Sequence, residues 1–215
     1  KKSDAPQRGF TLSHGAIIRG DSTQRKLALV FTGDEFAEGG EFIAKTLKQG
    51  RTKASFFFTG RFYRNAGFKR IIQELKAGGN FLGAHSNNHL LYCDWTKRDS
   101  LLVTKEQFTS DLLENYVALR DFGIEKSSAH FFLPPYEWYN DSIATWTKAM
   151  DLELIDYTPG TLSAADYTTP GAKNYQSAEV IYQSIINYEQ KHAKGLNGFI
   201  LLMHIGTDAK RTDKF

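Results

Sequence analysis

A single cysteine among 215 residues excludes a disulfide framework, and Cys93 alone says nothing about redox compartment. Proline is scarce, with five residues of which two are the adjacent Pro134 and Pro135, so a proline-rich linker is excluded. No apolar run approaches the ~18 to 20 residues that a membrane-spanning helix requires. An excess of charge of one sign is almost absent. The net charge is +3, and the Lys and Arg residues are scattered rather than clustered, which gives no footprint for nucleic acid. The start at Lys1-Lys2-Ser3-Asp4 carries no secretory signal pattern and reads as a mature or trimmed end. Repeats and low-complexity tracts are missing too, which favours one domain over 1–215.

Aromatic side chains are abundant. Sixteen Phe, ten Tyr and three Trp suit a well-filled core and equally a carbohydrate-binding surface. Continuous apolar runs at 27–31, 54–58, 81–84, 130–133, 152–157 and 199–203 predict strands covered on both faces, as in a parallel sheet. Amphipathic segments at 41–49, 67–77, 105–122, 141–150 and 178–192 alternate with them, several ending in Gly. The alternation predicts a parallel α/β protein, a barrel or an open doubly wound sheet. The stretch 158–176, rich in Pro, Gly, Thr and Ala, reads as a surface loop.

Reactive residues fall just past the strands. Asp34 and Glu35 follow the first, His85 and His89 the third, Pro134-Pro135-Tyr136-Glu137 the fourth, and His204 closes the sixth. Parallel α/β folds build their sites at the carboxyl ends of strands. His85 and His89 are four residues apart, so one turn of helix would put both imidazoles on one face. Two converging neutral imidazoles make much of a zinc site, lacking an oxygen ligand and an open position. By itself an i,i+4 histidine pair is a common surface pattern.

In this order the segments resemble the polysaccharide deacetylases of carbohydrate esterase family four. His85-Ser86-Asn87-Asn88-His89 matches that family's His-Ser/Thr-x-x-His motif fully. Phe31 followed by Asp34 is similar to its first motif, Thr-Phe-Asp-Asp, and 54–60 looks like its second strand. Phe132-Leu133-Pro134-Pro135-Tyr136 resembles Phe-Arg-Pro-Pro-Tyr-Gly, and Leu202-Met203-His204 resembles Leu-x-His. The likeness runs over about 27–205. It implies an irregular (β/α) barrel of seven parallel strands, with the site at their carboxyl ends. It also implies one divalent metal, most often zinc, held by Asp34, His85 and His89. The implied activity removes N- or O-acetyl groups from a polysaccharide. His204 would be the general acid, and the Tyr136 backbone would stabilise the oxyanion. An extracytoplasmic location, periplasmic, cell-surface or secreted, follows from the family's polymer substrates.

The departures from the family pattern are specific. With one residue inserted after Phe31, Asp34 is the metal ligand and Gly33 leaves the base position empty. With two, Asp34 is the base and Glu35 the ligand. The first register needs the smaller displacement. It also agrees with Leu133, which stands where the family has the Arg that braces the base. Glu137 replaces the usual Gly after Tyr136, so Glu137 and Glu35 are the carboxylates available as substitute bases. Asp166-Tyr167 is the nearest match to the fourth motif, and Trp95, Trp138 and Tyr139 could stack on a sugar. The chain stops at Phe215, where the family usually has a further helix, so a C-terminal helix is expected to be missing. Two alternatives stay open: a degenerate deacetylase that binds a glycan without turnover, and a hydrolase of another C–N bond.

Overall fold

The computed structural model describes residues 9–214. All six expected strands are present: β3 (Ala28–Gly33), β4 (Ser55–Phe58), β5 (Phe81–Ala84), β6 (Phe131–Phe132), β7 (Glu153–Leu154) and β8 (Ile200–His204). They form one parallel sheet in the order β7-β6-β5-β4-β3-β8. The five expected helices are there as α1 (Gly40–Gln49), α3 (Lys69–Ala77), α4 (Lys105–Arg120), α5 (Asp141–Ala149) and α6 (Ala178–Lys191). An extra short helix, α2 (Gly60–Arg64), is capped by Thr59, whose side chain accepts from the Phe62 N–H. No helix among the described residues is long and apolar enough to cross a membrane.

Ahead of these elements the chain forms a hairpin of β1 (Thr11–Ser13) and β2 (Ala16–Arg19), for which the sequence reading assigned no element. His14 and Gly15 both have positive φ, the requirement of a tight primed turn. This hairpin corrects the expectation of seven barrel strands. Among the described residues the parallel sheet has six, and β2 lies in the gap between its two edges through single bridges, Ile17 to Ile155 and Arg19 to Phe199. The Asp156 N–H donates to the Ile17 carbonyl at 2.9 Å and the Gly20 N–H to the Gly198 carbonyl at 2.7 Å. Thr158 ties the seam, donating to the Ile18 carbonyl and accepting from the Ile200 N–H.

Each strand serves two cores. Phe31, Phe56, Phe58, Leu82, Phe132 and Leu154 face the helices, while Val30, Phe57, Leu133, Ile155 and Leu202 fill the barrel with Ile17. Burial on both faces is why these strands read as unbroken apolar runs. The alternation also decides which side chains reach the cleft. Continuing it past the core places Thr32, His85 and His204 on the inner face at the strands' carboxyl ends.

Candidate active site

The carboxyl ends of the strands surround a cleft of about 940 Å³ that takes in Asp34, His85, His89, Tyr136, Glu137 and His204. The histidine loop leads into it from β5. It is not the helical turn that the spacing suggests, because Ser86 and His89 have φ of 69° and 55°. The cause is Asp111 on α4. Its buried carboxylate accepts from Ser86 Oγ at 2.6 Å, the Asn87 N–H at 2.8 Å, and both the N–H and the side chain of Asn88. Those donors are thereby fixed in a loop. Asn115, one turn further along α4, accepts from the His85 N–H at 2.9 Å. We expect Asp111→Ala to cost about 2–3 kcal/mol, the penalty for stranding several buried donors. A lowered midpoint in urea unfolding checks this.

The two imidazoles still meet, with ring centroids 5.1 Å apart. His85 Nδ1 lies 2.8 Å from the Leu133 carbonyl, which can only accept, so Nδ1 carries the proton and Nε2 keeps its lone pair. Burial, then the neighbouring His89, pushes His85 well below the ordinary histidine range. Burial also depresses His89, with Asp34 opposing and Arg61 and His204 adding to it. Both rings are therefore held neutral, the form that ligates metal.

Asp34 is otherwise engaged. Arg61 forks onto its carboxylate, Nε reaching Oδ1 at 3.1 Å and the second guanidinium arm reaching Oδ2, while Thr59 Oγ1 donates to Oδ1 at 2.8 Å. As the side chains stand, no three His, Cys, Asp or Glu among the described residues lie close enough together to hold a metal ion. By donor type the residues fit a divalent cation, two neutral imidazoles and a carboxylate lining the same cleft. The carboxylate, however, is held by a guanidinium. Cys93 is buried and stays in the core.

The end of β3 revises the reading of Gly33 as an empty base position. A Cβ on Gly33 would meet Ile205 Cγ2 at 2.7 Å and the rings of Phe58 and Phe62 at 2.9 Å. Position 33 therefore faces the helix layer. The last inward residue of β3 is Thr32, paired in register with His204, and its Oγ1 is buried without a hydrogen-bond partner. Glu35 sits exposed at the cleft rim.

Glu137 is placed differently. Tyr136 and Glu137 take consecutive positive φ values of 60° and 52° after the two prolines, a strained turn that aims Glu137 into the cleft. Burial pushes its carboxyl up to about 7, with His204 opposing and Asp166 adding. Glu137 in turn helps burial raise Asp156, the acid just past β7, well above the carboxylate range. The Tyr136 N–H lies in the first turn of a 3-10 helix, Pro135–Glu137, and has no intrahelical acceptor. Its ring packs edge-on against His89 at 4.4 Å and Trp95 at 5.6 Å, and Trp95 stacks on Trp138. Tyr139, expected on the same platform, is instead buried, its hydroxyl donating to the Ser13 carbonyl.

His204 completes the cleft. Its Nδ1 lies 2.6 Å from Asp166 Oδ1, and its backbone N–H donates to Oδ2 at 2.8 Å. Asp166 comes from a 3-10 turn, Ser163–Tyr167, inside the stretch expected to be a plain loop. Burial alone would depress His204, but the Asp166 charge and hydrogen bond outweigh it, and Glu137 adds to them, so the pKa is raised. With Nδ1 taken, Nε2 is the atom available for proton transfer. Thr32, Arg61, Asp111, Asn115 and Asp156 escaped the sequence reading. The available signal was polar residues at core-facing positions, such as Asp111 and Asn115 among Phe108, Leu112, Tyr116 and Leu119.

The family model for polysaccharide deacetylase matches residues 20–155. A comparison with curated proteins finds no match. Among solved structures, a Bacillus anthracis pseudoenzyme of carbohydrate esterase family four is 18% identical with a TM-score of 0.68, over 91% of this chain and 60% of its own. The chain thus spans about 60% of that structure's length. PdaA of Bacillus subtilis, a family 4 carbohydrate esterase, is 18% identical with a TM-score of 0.66, over 92% of this chain and 75% of its own. The chitin deacetylase of Colletotrichum lindemuthianum is 19% identical with a TM-score of 0.66, over 90% and 79%. At these identities the likeness is one of fold.

Proposed function

The chain belongs to the polysaccharide deacetylase family, and from that premise we propose that it hydrolyses N- or O-acetyl groups on an extracytoplasmic glycan. The observation that carries this reading is Glu137 and the Asp166-braced His204 facing one cleft beside the imidazole pair. His85, His89 and Asp34 would hold one divalent cation, zinc by the softness of two imidazoles. When bound, that cation polarises the acetyl carbonyl and acidifies water.

The remaining work falls to the chain's own groups. Ionised Glu137 takes the proton of the attacking water as its oxygen bonds to the acyl carbon. The Tyr136 N–H donates to the developing oxyanion. His204 delivers a proton from Nε2 to the leaving amine or alkoxide as the bond to the acyl carbon breaks, and Asp166 stabilises the imidazolium beforehand. The Trp95 and Tyr136 faces offer a sugar-stacking wall at the rim.

A second reading, a glycan-binding protein without turnover, has its own observation. The inner end of β3 carries Thr32 rather than a carboxylate, and Asp34 is paired with Arg61. Acetate release from chitin oligomers, peptidoglycan fragments and acetylated xylan separates the two. We expect release by zinc-loaded protein that stops on chelation. Glycan binding with no release from the whole panel would favour the second reading.

A further inference from the structure

Arg61 is not a loose surface side chain that happens to reach Asp34. It is the second residue of α2, and its backbone N–H donates to the Asn87 carbonyl at 3.3 Å, next to a Gly60 N–H donating to the Ser86 carbonyl at 3.1 Å. A Cβ at position 60 would meet Asn87 Oδ1 at 1.9 Å, so any larger residue there would push the Asn87 side chain aside. Helix α2 is thus laced to the histidine loop by its own backbone, which delivers the guanidinium onto Asp34. Thr59, the cap of α2, donates to Oδ1 of the same carboxylate.

We propose that Arg61 is an internal competitor of the divalent cation for the Asp34 carboxylate, so that metal enters this cleft by exchange with the guanidinium. The inference rests on the metal-dependent reading above. Both carboxylate oxygens are taken by the fork, and a guanidinium and a divalent cation repel at such short range. The cleft therefore binds metal more weakly than its three donors would alone, and the exchange gives it a built-in threshold for metal availability.

Calorimetric titration of zinc into metal-free wild type, Arg61→Gln, Asp34→Asn and the double variant tests this. Arg61 is half exposed, and circular dichroism verifies that each variant is folded. We expect Arg61→Gln to bind zinc about tenfold more tightly, the scale of one charge-assisted pair. The gain should vanish in the Asp34→Asn background. Tight wild-type binding that Arg61→Gln leaves unchanged, or a gain that survives Asp34→Asn, overturns the competition while leaving the metal site standing. No zinc binding by any of the four proteins overturns both.

Discussion

Glu137→Gln is expected to lower the rate of acetate release by about 10²- to 10⁴-fold, the loss typical of a removed general base. The amide keeps the shape of the side chain but cannot take a proton from water. The carboxyl sits at about 7 because burial raises it, so its ionised fraction climbs through neutral pH. As the proposed acid, His204 would have to hold its proton, which Asp166 and Glu137 favour. The pH–rate profile should then be bell-shaped, with an acidic limb near 7 that a bound cation shifts downward, and a basic limb set by His204. In Glu137→Gln the acidic limb should be lost. Stability follows the opposite sense. Folded Glu137 binds its proton more tightly than the unfolded chain, whose carboxyl titrates near 4.5, so this stabilisation is full below about 4.5 and lost as pH rises through 7. Above pH 8 Glu137→Gln should therefore unfold at higher urea than wild type, while its activity is lower.

Gly33→Asp should fail as a repair of the missing base, and should lose on the order of 3–5 kcal/mol of stability. A carboxylate at 33 would be driven between Ile205, Phe58 and Phe62, where nothing pairs with a charge. Thr32→Asp is the informative companion, because position 32 faces the cleft and its hydroxyl is already buried without a partner. Urea midpoints for the two variants separate the faces of β3. Equal stability for both would mean that Gly33 faces the cleft after all.

Much of the fold was legible because parallel strands buried on both faces leave unbroken apolar runs, and 54–58 shows why. Phe56 and Phe58 pack on the helices while Phe57 fills the barrel, so no alternation survives to confuse the pattern. The hairpin was harder to see. Its strands are three and four residues long and β1 is largely exposed, so its one strong signal was the His14-Gly15 turn. Helix α2 escaped for the same reason, being five residues with a Thr59 cap as its main mark.

The site divided along a similar line. His85, His89, Glu137 and His204 were recognisable because motif residues sit at strand ends whatever the local backbone does. The shape of the histidine loop was not recognisable, since Asp111 imposes it from a helix more than twenty residues downstream. Neither was the face of Gly33, which depends on which strand residue turns inward last. Asp166 stood out only weakly against its loop composition, although the hydrogen bond that it makes sets the chemistry of His204.

Hydrolysis of acetyl groups in this cleft, with Glu137 as the base, is the proposal on which the rest depends. Acetate release from chitin oligomers by zinc-loaded wild type, run beside Glu137→Gln at pH 8, tests it most directly. Steady release by the wild type is expected, with a rate at least about 10²-fold lower in the variant. Equal rates in the two proteins would contradict it.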